Sequence, residues 1–147
     1  LVQLPAINTP QFTWARNRLS KKPQPAPPIF QPEVAAKAIL RAAREGKREY
    51  FVGQSVLKLV FGNMVLPDWL DRKMAEDGAE LQKSRSDEPG GRPDNLHTPV
   101  EGISATAHGR FGGDAKAGGV IVDADRARLL AFGALPAIAL VIGLILG

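Results

Sequence analysis

The chain has 147 residues, 44% hydrophobic and 23% charged, with a formal net charge of +4. That length fits one small domain. With no cysteine, disulfides, thiolate metal sites and cysteine nucleophiles are excluded, and two histidines do not make a His-rich metal site.

Leu1-Val2-Gln3-Leu4 reads as the end of a buried strand that Pro5 stops. Asn8-Thr9-Pro10 follows, with Thr9 suited to a helix N-cap and Pro10 to the first helical position. A helical segment is expected from here through Phe12, Trp14, Ala15 and Leu19. Residues 20–32 carry four prolines between Pro23 and Pro28, so an extended, irregular stretch is expected. The clearest helix is 32–45. Pro32 and Glu33 open it, and Val34, Ala35, Ala38, Ile39, Ala42 and Ala43 recur at helical spacing. Gly46 supplies the stop. Glu49-Tyr50-Phe51-Val52-Gly53 reads as a short strand. Helix followed by strand is half of an α/β repeat. Ser55 is expected to cap a helix from Val56 to Leu66, and Pro67 to open another that runs to about Asp77. Residues 67–80 are thus read as an additional helix. From Gln82 to Gly119 the chain is rich in Gly, Pro, Ser and charge, and 81–128 is read as a disordered linker.

The last nineteen residues, Leu129 to Gly147, carry no charged side chain. At 1.5 Å per residue a helix of that length spans roughly 28 Å, close to the hydrocarbon core of a bilayer. A transmembrane helix is expected over 129–147. Arg126 and Arg128 precede it, which predicts that 1–128 face the cytoplasm. A wholly cytoplasmic chain is the alternative.

Charge is uneven. Residues 1–50 hold nine Lys/Arg against three acids, whereas 51–147 hold ten against twelve. The basic residues are spread over a Pro-rich loop and a helix, not clustered with aromatics, so no nucleic-acid partner is expected. Leu1 opens inside an apolar run without an initiator Met. The chain is therefore expected to be a piece of a longer protein.

Several chemistries are missing. No Gly-x-Gly-x-x-Gly and no Walker loop occur. Tyr50 is the only tyrosine and Gln54 stands four positions on, so no Tyr-x-x-x-Lys exists. Leu57 stands where a nucleophile elbow around Ser55 needs its second Gly. His97 and His108 are isolated. No catalytic residue and no metal ligand is assigned.

One pattern is specific. A strand end leads into Pro5-Ala6-Ile7-Asn8-Thr9-Pro10, then a helical segment, then Pro32-Glu33-Val34-Ala35 opening a helix, then a strand ending in Val52-Gly53. This order resembles the C-terminal third of the short-chain dehydrogenases/reductases. The resemblance covers about a third of the chain. It implies an α/β fold for residues 1–66, the C-terminal portion of an incomplete Rossmann-type doubly wound sheet. It implies NAD or NADP as cofactor, with Pro5 and Ile7 walling the nicotinamide and Thr9 hydrogen-bonding it. Ala6 stands where the family usually has Gly. Phe12, Trp14, Leu19, Ile29 and Phe30 fall where family members cover the substrate, which implies a small hydrophobic substrate. The family's catalytic Tyr-x-x-x-Lys and Gly-rich cofactor loop belong upstream of such a segment. The function implied is a fragment of an NAD(P)-dependent oxidoreductase acting on a carbonyl or alcohol. The alternative is a non-enzymatic, tail-anchored membrane adaptor. Self-association into a homo-oligomer is left open by the sequence.

Overall fold

A computed structural model describes residues 1–103 and 105–146, without the side-chain surroundings of 134–143 and 146. The described residues are mixed α/β, with small sheets and five helices. Strand β5 (Tyr50–Val52) is central. β1 (Val2–Gln3) pairs with it in parallel, Val2 opposite Tyr50 and Gln3 opposite Phe51. β7 (Ile121–Asp123) runs antiparallel along its other edge, with Val122 opposite Phe51. A parallel pair needs a crossover, and helix α2 (Pro32–Glu45) lies within it.

All three residues of β5 are fully buried. Side chains alternate along a strand, so Tyr50 and Val52 face one way and Phe51 the other. Val52 packs with Phe30, Val34 and Ala38. Phe51 packs with Val56, Ala124 and Ala127, bordered by Leu57, Val60 and Phe61. Helix α2 therefore covers one face of the sheet. Helices α3 (Gly53–Val65) and α5 (Ala124–Leu146) cover the other.

Helix α2 spans the predicted residues and ends at Gly46, whose φ is +63°. Only Val34, Ala35 and Ala38 of its expected apolar face are buried, and Ile39 is exposed. Helix α3 starts at Gly53, two residues before the expected Ser55 cap. The positive φ of Gly53, +79°, turns the chain straight out of β5, and Val52 takes the cap position. The Ser55 hydroxyl is left inside the helix, buried and without a partner among the described residues. Helix α4 (Pro67–Leu81) runs through the expected stop at Gly78.

Three regions differ from the sequence expectation. The helix expected through Leu19 is the four-residue α1 (Gln11–Trp14). The irregular stretch 20–32 contains β3 (Lys21–Pro23) and β4 (Ile29–Phe30). An extended, proline-rich backbone already lies near strand dihedrals, so it pairs wherever a partner edge is present. β4 pairs in parallel with β2 (Ala6–Ile7), and β3 antiparallel with β6 (Lys83–Asp87). Strands β6 and β7 both lie inside 81–128, where composition predicts a linker.

Helix α5 is capped by Asp123, whose Oδ1 accepts the Arg126 N–H at 3.0 Å. Among the described residues no helix is long and apolar enough to cross a membrane. The span expected over 129–147 falls largely on side chains outside those described.

Candidate functional site

The chain leaves β1 at Gln3, passes Leu4-Pro5 and enters β2. Parallel pairing of β2 with β4 sets Ala6 opposite Ile29 and Ile7 opposite Phe30. Asn8 follows and is fully buried. Its backbone N–H donates to the Phe30 carbonyl at 2.8 Å. Its Nδ2 donates to Gln31 Oε1 at 3.1 Å, and its Oδ1 accepts the Phe111 N–H at 3.0 Å. A buried polar side chain must be paired, and Asn8 meets that requirement from two directions.

Thr9 donates its N–H to the Ile7 carbonyl at 2.8 Å. Pro10 takes the cap position of α1, and no side-chain cap bond is made there. Thr9 is therefore not the helix cap that the sequence predicts, and its hydroxyl is not consumed by α1. Pro5, Ile7, Thr9 and Phe12 line one cleft of about 380 Å³ together with Pro25, Ala26 and Gln82. Gln82 reaches it because β3 and β6 are joined: its carbonyl accepts the Gln24 N–H at 2.9 Å.

The five residues expected to cover a substrate separate. Phe12 lines the cleft with the three cofactor candidates. Trp14 faces a different hollow with Asn95 to Val100, and Leu19 another with Glu88 to Arg92. Ile29 and Phe30 are buried in the core, Phe30 against Val34, Ala38 and Val52.

Residues that sequence reasoning passed over hold the cleft together. Arg92 reaches across to α1: its Nη1 donates to the Phe12 and Thr13 carbonyls at 3.1 and 3.0 Å, and its Nη2 to the Ala15 carbonyl at 2.7 Å. Asn95 N–H takes the Trp14 carbonyl at 3.0 Å. These are the carbonyls that a longer α1 would use for its own ladder, so the helix stops after one turn. Arg16 pairs with Asp94 at 2.8 Å. Phe111 stands edge-on to Phe12, centroids 5.8 Å apart. Gly109 donates to the Asn8 carbonyl at 3.0 Å. A Cβ at Gly109 would lie 2.4 Å from the Thr9 carbonyl oxygen, so only glycine passes there. Lys116 exchanges backbone bonds of 2.9 Å with Ile29 and Gln31. Residues 88–95 and 109–116 thus form a strap over residues 8–31. Gly90-Gly91-Arg92-Pro93-Asp94 was the available sequence signal, since an Arg among turn formers points its donors at nearby carbonyls.

Outside the cleft, titratable groups are tied into structure. Tyr50 is fully buried and donates to Glu45 Oε2 at 2.5 Å. Burial, then the Glu45 carboxylate, pushes the Tyr50 phenol up. The Tyr50 hydroxyl and then Arg41 hold Glu45 below the usual carboxylate range. Burial pushes Glu49 up, but hydrogen bonds from Gln3 and Arg128 outweigh it and its pKa is lowered. Among the described residues no three His, Cys, Asp or Glu side chains gather as a metal site. His108 pairs with Glu33 at 2.8 Å.

No protein-family model, curated protein or solved structure matches this chain.

Proposed function

We propose that this chain is the C-terminal part of an NAD(P)-dependent oxidoreductase of the short-chain dehydrogenase/reductase kind, and that the Pro5–Thr9 cleft is part of its nicotinamide wall. One observation carries the reading. The parallel pair β1–β5 releases the chain into Pro5-Ala6-Ile7-Asn8-Thr9, and Pro5, Ile7 and Thr9 converge on one cleft with Phe12. The backbone here is already paired, the Ile7 carbonyl with Thr9 and the Asn8 N–H and carbonyl with Phe30 and Gly109, so side chains would do the holding of a planar amide ligand. The residues fit such a group: the Thr9 hydroxyl is spared by α1, and Pro5, Ile7 and Phe12 supply apolar walls.

A nicotinamide bound there would supply the hydride for a carbonyl or accept it from an alcohol. In this chain Thr9 would hold the carboxamide, Pro5 and Ile7 would exclude water from one side, and Phe12 would cover the opening. Tyr50 is buried and committed to Glu45, so the proton would come from the upstream Tyr-x-x-x-Lys of the complete protein. The discriminating test is the coding sequence upstream of Leu1. An in-frame Gly-rich strand–turn–helix and a Tyr-x-x-x-Lys support the reading, and an immediate stop codon refutes it. In the complete enzyme, Thr9→Val removes one neutral hydrogen bond worth roughly 0.5–1.5 kcal/mol. Cofactor affinity should fall by about threefold to tenfold. Unchanged affinity in a titration would assign Thr9 to structure alone.

Residues 129–147 form a membrane anchor in the same reading, with 1–128 facing the cytoplasm. The lack of any charge after Arg128 supports it, as does the exposure of Leu129, Leu130, Leu144 and Ile145 along α5. The full chain should stay in the pellet after a carbonate wash, and a chain ending at Arg128 should not. Equal release of both refutes the anchor.

A further inference from the structure

We propose that the elbow between α3 and α4 is a lipid-contacting surface, with Met64, Val65, Leu66 and Trp69 entering the interface of a neutral bilayer alongside α5. The inference takes its orientation from the reading of residues 129–147 as an anchor.

The elbow is apolar and uncovered. Met64 is 50% exposed, Val65 69%, Leu66 56% and Trp69 52%. Four large apolar side chains within six consecutive residues form a protruding cluster of the kind that marks an interaction site. From Leu59 to Leu70 the only charged side chain is Asp68. Lys58 precedes this run and Asp71 and Arg72 follow it, charges of both signs at its edges, and Lys73 is paired with Asp77 at 2.5 Å. The elbow gathers no cluster of one charge sign for a polyanion or a charged peptide, whereas a zwitterionic lipid surface needs none. Trp69 adds the amphipathic ring that settles at lipid headgroups.

Geometry places this cluster beside the uncharged tail. Helices α3 and α5 lie together over Phe51, where Val56 belongs to one cluster with Ala124 and Ala127. Further along both helices the Phe61 and Phe132 rings meet edge-on, centroids 6.3 Å apart. Both contacts advance in the same chain direction, so the two helices run alongside each other from the sheet outward. Met64 and Val65 end α3 one turn past Phe61, and so lie further from the sheet along α3 than the contact with Phe132; Leu66 and Trp69 continue the exposed cluster from there. At Phe132, α5 has already left its last charge, Arg128, behind. A bilayer that receives α5 from Leu129 onward meets the elbow at its surface.

The native chain has no cysteine, so single labels can be placed. Leu66→Cys and, as control, Lys37→Cys on α2 across the sheet, would each carry an environment-sensitive fluorophore. Both positions are exposed. Each full-length chain is reconstituted into phosphatidylcholine vesicles with and without brominated acyl chains. An interfacial apolar face sits ~5–10 Å deep, so the Leu66 label should be quenched by about twofold or more. Quenching should be insensitive to salt, and the Lys37 label should stay unquenched. Equal quenching at the two sites overturns the proposal. So does a Leu66 signal that rises with protein density but ignores brominated lipid, which assigns the elbow to a second copy of the chain. Carbonate extraction of the same samples separates the two ideas. Release of a chain whose Leu66 label was quenched refutes the anchor and supports the elbow. Retention with an unquenched label supports the anchor and refutes the elbow.

Discussion

Replacing Asn8 by Ala tests whether the strap is held by this one buried amide. Asn8 is fully buried, with no part of it accessible. The substitution deletes two side-chain bonds, one from Nδ2 to Gln31 and one from the Phe111 N–H to Oδ1. At roughly 0.5–1.5 kcal/mol each, their loss costs about 1–3 kcal/mol. The Phe111 N–H is then left in a partly buried place without its acceptor, which adds about 1 kcal/mol or more. A total near 2–4 kcal/mol is expected, and since ~1.4 kcal/mol is a factor of ten, strap opening should rise about 30-fold or more. Hydrogen exchange in the full chain measures this directly. The reporters are the Lys116 and Gln31 amides, whose own partners, the Ile29 and Lys116 carbonyls, remain in place. Their protection should fall by that factor, while the amides of β5 change far less. Loss of less than about threefold at Lys116, under 1 kcal/mol by the same conversion, would show that Asn8 is not what fastens the strap.

Arg92→Met keeps an apolar stem and removes three guanidinium bonds to the carbonyls of Phe12, Thr13 and Ala15. Charged donors are worth roughly 1.5–3 kcal/mol each at most, so cleavage after Arg16 or Arg18 in limited trypsin digestion should accelerate at least several-fold, and an unchanged digest would refute the role. Gly109→Ala forces a methyl against the Thr9 carbonyl at 2.4 Å, an overpacking cost of about 1–3 kcal/mol or more; an unshifted urea midpoint would mean the strap passes Thr9 differently. Glu45, Glu49 and Asp123 all have lowered pKa values in the fold. A carboxyl with a depressed folded pKa stabilises the fold above its ordinary value and loses that contribution as pH falls through the folded one. Stability should therefore decline below about pH 4.5, the ordinary glutamate value, and Glu49→Gln should make the decline shallower while lowering stability at neutral pH. Parallel acid curves for both chains would refute the assignment.

Much of the framework was legible because the residues concerned obey a local rule. Pro32, Glu33, the Val34/Ala35/Ala38 spacing and Gly46 set both ends of α2 without tertiary help. Tyr50-Phe51-Val52 reads as a buried strand because a β-branched residue and two aromatics follow one another. The fold brings Pro5, Ile7 and Thr9, named together from the sequence, to one cleft. What escaped was decided at long range. The end of α1 depends on Arg92, nearly eighty residues away in sequence. Strand β3 depends on β6, and the pairing Lys21 to Asp87 joins two charged, unremarkable segments. Trp14 and Leu19 part because residues 88–100 lie beside them, whereas Ile29 and Phe30 are drawn into the core, Phe30 against α2 and β5.

The strap also shows why composition misled. Residues 88–116 offer little apolar surface, and by burial alone they should remain loose. The segment they cross supplies a different driving force. Elements as short as α1, β2 and β4 leave many backbone groups outside any regular ladder. Buried away from water, such groups must be paired. Asn8, Phe12, Thr13, Trp14, Ala15, Ile29 and Phe30 all present carbonyls or amides in this condition. Arg92, Asn95, Gly109, Phe111 and Lys116 answer several of them in turn. Each partner is polar or glycine, or acts through its backbone, so the ordering leaves no hydrophobic pattern in the sequence. It follows that the strap and α1 are one unit. Displacing Phe12 from the cleft breaks the Arg92 bonds to its carbonyl and the ring contact with Phe111 together. A change that loosens either side should therefore be felt on both.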